Sequence, residues 1–114
     1  MKLCDAYKCK RLALGLTQAE IANIIGVSSG TISRFENGEV LSEVVFNSIR
    51  YGIDNYFKSL DRDEYMERRL LESAYELMYQ SDEEKLLTLN HMAIHIGKLN
   101  MDLLRKVYKG ETES

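Results

Sequence analysis

The twenty residues Gln18–Asn37, QAEIANIIGVSSGTISRFEN, constrain this chain more than any other stretch. They read as two short helices joined by a tight turn. Ala22 is small where the second helix must cross close to the first. Gly26 stands at the turn, where a left-handed backbone is cheap only without a Cβ. Ile21, Ile25, Val27, Ile32 and Phe35 supply apolar contacts that lock the two helices at a fixed angle. A unit of this shape presents its second helix, Ser28 to Asn37, to a DNA major groove.

The same pattern extends outward. Helical periodicity runs nearly throughout, strand-like alternation is absent, and there is no proline. A first helix is expected over Lys2–Leu14, ending at Gly15. Thr17-Gln-Ala-Glu20 is a capping box that opens the second. Ser28 caps the third, and Asn37-Gly38 ends it. Ser42 opens a fourth, with Val44, Val45 and Ile49 facing the core. Tyr51-Gly52 marks a break, after which Asp54 caps a fifth helix carrying Tyr56, Phe57 and Leu60. The rival is one continuous helix from Ser42 to Leu60.

The run Arg11–Glu39, RLALGLTQAEIANIIGVSSGTISRFENGE, resembles the helix-turn-helix of the Cro/Xre family, which includes phage lambda-type repressors. The likeness lies in L-T-Q-x-E-I-A, then G-V-S, then T-I-S-R-F-E-N-G. It covers about the first half of the chain. The resulting expectation is an all-α chain: a lambda repressor-like five-helix DNA-binding domain over residues 1–60, then a C-terminal helical hairpin over 61–114.

Reading and positioning fall to different residues. The exposed face of the third helix carries Ser29, Gly30, Ser33 and Arg34, the expected base contacts. Arg34 is the one long donor there, and its planar fork matches guanine O6 and N7. Gly30 has nothing with which to read a base, but it permits a close backbone approach. Expected phosphate contacts are Thr17 and Gln18 at the amide end of the second helix, Ser28 and Asn37 around the third, and Lys10. The resemblance implies backbone contacts for Gln18, Ser28 and Asn37. It also implies an ion pair between Arg11 and Glu36, joining the first helix to the end of the third. Glu36 alone would repel phosphate, so a neutralising partner is physically sensible.

The formal net charge is −3, awkward for a DNA binder, but it is unevenly spread. Residues 1–60 hold seven Lys/Arg against six Asp/Glu; residues 61–114 hold eight against twelve. The thin basic footprint argues for a dimer reading two half-sites of double-stranded DNA. No apolar run is long enough to span a membrane, and Met1–Asp5 shows no signal-peptide pattern. Cys4 and Cys9 are expected as reduced thiols in a cytoplasmic protein. His91 and His95 have two-ligand spacing but no third ligand, so no metal is expected. No nucleophile–base pair or phosphate loop stands out; neither an enzyme nor a cofactor is expected.

In the second half, Asp61–Tyr79 reads as a helix with Tyr65, Met66, Leu70, Ala74, Leu77 and Met78 as its apolar stripe. Ser81-Asp-Glu-Glu84 restarts a helix reaching about Tyr108. Leu86, Ala93, Asn100 and Val107 form one heptad seam position, and Leu89, Ile96 and Leu103 the other, as in a dimerising helix. The functional expectation is a repressor, binding an inverted-repeat operator as a homodimer. The alternatives are an antitoxin whose hairpin grips a toxin, and a protein-binding inhibitor that reuses the fold.

Overall fold

Among the described residues, five of the six α-helices begin at a side chain that accepts a backbone amide. In the computed structural model, which describes residues 1–94, the order is α1 (Leu3–Ala13), α2 (Gln18–Ile25), α3 (Ser29–Glu36), α4 (Glu43–Ser59), α5 (Arg62–Glu76), a 3-10 turn (Leu77–Tyr79) and α6 (Asp82–Ile94). The capping box of α2 is complete: the Glu20 amide donates to Thr17 Oγ1 at 3.0 Å, and the Thr17 amide donates to Glu20 Oε1 at 2.8 Å. Ser28, Ser42 and Asp61 accept from Thr31, Val45 and Glu64. Ser81 and Glu84 form a second reciprocal box at α6. The amide of Ser81 holds the Glu84 carboxyl below its usual pKa. Each cap satisfies donors that the first turn leaves open.

The core lies among α1 to α4. Ile21, Ile32, Ile49, Ile53, Phe35 and Phe57 are buried together with Tyr7, Ala13 and Leu14. Phe35 packs against the Tyr7 and Phe46 rings, with centroids 6.2 and 5.4 Å away. Ile49 and Val45 face this core, but Val44 is 75% exposed, against expectation. It lies in the first turn of α4, on the side that turns to solvent.

Two further expectations are corrected. There is no break at Tyr51-Gly52: α4 runs unbroken for 17 residues, so residues 1–60 hold four helices rather than five. Gly52 is there for packing. A Cβ at that position would lie 2.5 Å from Ile25 Cγ1, so the backbone of α4 must be bare where α2 presses on it. Asp54 does not cap a helix; its Oδ2 accepts from the Tyr7 hydroxyl at 2.8 Å.

The fifth helix is α5, and its principal neighbour is α1. Leu71 and Tyr75 pack on the core formed by the first four helices, and Leu70 is buried. Arg68 Nη1 donates to the Ala13 carbonyl at 3.3 Å, at the C-terminal end of α1 where carbonyls lack helical partners. Met78 of the expected stripe is 67% exposed instead, because the helix has by then tightened into the 3-10 turn.

Candidate nucleic-acid interface

The geometry of the α2–α3 unit follows from a few small or capped positions. Gly26 has φ +93°, a left-handed conformation that turns the chain sharply after Ile25. Ala22 is almost wholly buried, as a close helix crossing requires. Ile32 and Phe35 point inward and fix the rotation of α3 about its axis. That rotation leaves Ser29, Gly30 and Arg34 exposed, with Ser33 half-buried beside them. The four expected readers therefore share the outward side of one helix. Arg34 is the only basic residue of α3. A Cβ on Gly30 would meet nothing closer than Ser28 Oγ at 3.8 Å, so its surroundings are open. The face is thus low and nearly neutral, with one cation.

The acid on this helix is neutralised by its neighbours. Arg11 Nε donates to Glu36 Oε2 at 2.6 Å and Arg11 Nη2 to Oε1 at 3.1 Å, a bidentate pair with both residues buried. Gln18 Nε2 adds a third bond to Oε1 at 3.0 Å. Arg11 Nη1 donates to the Leu16 carbonyl at 2.7 Å. One carboxylate thereby ties together α1, α2, α3 and the loop before α2. Charge-assisted, fork-shaped bonds of this kind fix orientation as well as distance.

The expected phosphate contacts separate into three groups. Thr17 and Ser28 use their oxygens as caps, but a capping oxygen spends a lone pair, and Thr17 keeps its hydroxyl proton as a donor. The Ser28 hydroxyl also meets Thr31 Oγ1 at 2.8 Å. Gln18 is half-buried and aimed at Glu36, while Asn37 is exposed at the end of α3. Lys10 is not brought to this face. Its ammonium lies 2.9 Å from Glu72 Oε2 on α5, above the Phe57 and Tyr7 rings, and its side chain is 16% exposed. A phosphate contact from Lys10 would have to compete with this ion pair.

Glu72 itself escaped sequence reading. It is buried among half-buried neighbours on α5, and its closest cation is Lys10, far away in sequence. Arg50 is similar. Its guanidinium sits over the Tyr7 and Phe46 rings, and burial together with the Asp54 carboxylate raises the Tyr7 pKa.

Both cysteines are free thiols. Burial, then the negative charges of Glu76, Glu72 and Asp5, pushes the Cys9 thiol up to about 12, which makes it a poor nucleophile. Among the described residues no three His, Cys, Asp or Glu side chains gather as a metal site, and no helix is long and apolar enough to cross a membrane. His95 lies outside the described residues.

Of the expected dimer seam, Leu86 is 61% exposed and Leu89 half-buried. Ile96, Asn100, Leu103 and Val107 lie outside the described residues, as does the side chain of Ala93.

Comparison with known proteins bears on the first part of the chain. A family model described as a helix-turn-helix matches residues 8–43, from within α1 through α2 and α3 to the start of α4. No curated protein and no solved structure matches the chain. The matched segment contains the capped turn, the clamped Glu36 and the outward face of α3 just described. Residues 8–43 are therefore a helix-turn-helix of the Cro/Xre, lambda repressor-like family, and the chain is a DNA-binding transcription regulator.

Proposed function

We propose that this regulator is a repressor acting in the cytoplasm, and that it reads an inverted-repeat operator as a dimer. The observation that carries the reading is the division of charge on α3: Glu36 is buried and neutralised, while Arg34 alone stands out from the exposed face. Arg34 supplies the bidentate contact to guanine, and Ser29 and Ser33 make short hydrogen bonds at the base edges. Gly30 lets the backbone lie close, so DNA shape contributes to selectivity. Thr17, Gln18, Ser28 and Asn37 set the register on the phosphates. Two half-sites with centres about 34 Å apart would match a two-fold dimer.

Leu86 and Leu87, 61% and 69% exposed on α6, favour a partner for the C-terminal part. A second copy using Leu86, Leu89, Ala93, Ile96, Asn100, Leu103 and Val107 is the first choice. A toxin gripped by the same helix is the second reading, and stoichiometric co-purification of another small protein would favour it.

The test is selection of bound duplexes from a random library at one stated moderate salt, with wild type and Arg34→Ala in parallel. Wild type should enrich an inverted repeat. Arg34→Ala should lose about 1–3 kcal/mol of discrimination at one base pair of each half-site. No enrichment by a folded wild-type chain would overturn the operator reading.

A further inference from the structure

A cleft of about 250 Å³ lies between α5 and α6, away from the face of α3. Tyr65, Met66, Arg69, Leu70 and Ser73 form its α5 wall, and Met92 closes it from α6. Leu70 and Met92 are almost fully buried, so the interior is hydrocarbon. Arg69 carries the only permanent full charge among the lining side chains, which also include His91.

Arg69 is held in place before any ligand arrives. Its guanidinium carbon lies 5.9 Å from the centroid of Phe57 and 5.8 Å from that of Tyr65, and its Nε is 3.3 Å from Glu72 Oε1. The side chain remains 48% exposed, so the rest of the fork can meet a ligand. A concave apolar surface with one oriented cation is the combination that selects amphipathic anions.

We propose that this cleft binds a small amphipathic organic anion, an aromatic or branched aliphatic carboxylate, with its carboxylate on Arg69 and its hydrocarbon between Leu70 and Met92. Such a ligand touches α5 and α6 at once. It holds α6, whose described side chains are mostly exposed, against the helix that packs on α1.

The test is titration of the isotope-labelled full chain with 1-naphthoate, followed by amide shifts, with the neutral naphthalene-1-methanol as control. Saturable one-to-one binding is expected, with shifts centred on α5 and α6. The alcohol, and naphthoate on Arg69→Gln, should bind at least about fivefold more weakly, as loss of one charge-assisted contact predicts. Ser73→Phe, which fills the cleft, should abolish binding while leaving helix content unchanged. If Arg69→Gln does not fold, the acid–alcohol comparison carries the charge claim alone. No saturation by about 5 mM would overturn the proposal. So would binding that Ser73→Phe leaves intact, shifts centred on α3, or equal affinity for acid and alcohol.

Discussion

Lys10 and Arg11 are neighbours on α1, and each anchors a different helix. Successive helical residues point about 100° apart, so Arg11 meets Glu36 of α3 while Lys10 meets Glu72 of α5. The two buried pairs differ in how completely they are satisfied. Glu36 receives donors on both oxygens, and Gln18 adds a third. Glu72 receives the Lys10 ammonium on one oxygen only. Its other oxygen has Arg69 Nε 3.3 Å away, but not aligned for a hydrogen bond. Glu76 lies close enough for its charge and that of Glu72 to oppose each other. The reading helix is thus held by a saturated, directional clamp, and α5 by a looser one. A fully satisfied buried network fixes one geometry; a partly satisfied one tolerates adjustment.

Breaking the tighter clamp should cost most. Glu36→Ala leaves the buried Arg11 guanidinium without its counter-charge, and should lower unfolding stability in urea by about 3–5 kcal/mol. The double change Arg11→Met with Glu36→Leu should recover much of that loss, because no unpaired charge remains. If Glu36→Ala proved as mild as a surface substitution, the clamp would not be what holds α3. Glu72→Ala should cost less, about 1–2 kcal/mol, because Lys10 is long enough to swing its ammonium toward water. Its effect on operator affinity at fixed salt should be smaller than that of Glu36→Ala. A larger effect would mean that α5 governs the reading face more strongly than the α1–α3 clamp does.

What could be read in advance depended on the range of the interaction. Thr17, Ser28, Ser42 and Ser81 were legible because a cap and its amide lie within one turn of each other. The outward set of α3 was legible because Ile32 and Phe35 fix the helix rotation by periodicity alone. Gly52 was misread for the opposite reason. A glycine that stops a helix and one that admits a neighbour look alike until Ile25 is seen pressing on it. The ion pair of Lys10 is hidden on the same ground: its partner lies on a helix distant in sequence. Arg11–Glu36 is reached through family likeness, and the bond from Gln18, expected at a phosphate, comes to light only in the fold. Gly52→Ala puts this to the test. Added helix propensity should be outweighed by the clash with Ile25, a net loss of about 1–2 kcal/mol. A gain in melting temperature would mean that Ile25 gives way to the added methyl group, so that close packing is not what the glycine serves.

The smallest expected effect bears on the looser clamp. Burial, and then the charge of Glu72, raises the Glu76 pKa above its usual 4.5; Lys10 and Arg69 oppose that shift without cancelling it. A carboxyl whose folded pKa exceeds its unfolded value favours the folded state most while protonated. Its contribution is complete below pH 4.5 and fades as pH rises through the raised folded value. Glu76→Gln keeps the neutral shape at every pH. The variant should therefore match wild type in acid and exceed it modestly near neutrality, in urea titrations across that range. Glu72 faces the same site from one turn away and is paired with Lys10. A pH-independent difference between Glu76→Gln and wild type would mean that Glu76 is solvated in the folded chain. The seam under α5 would then be as well satisfied as the clamp on α3.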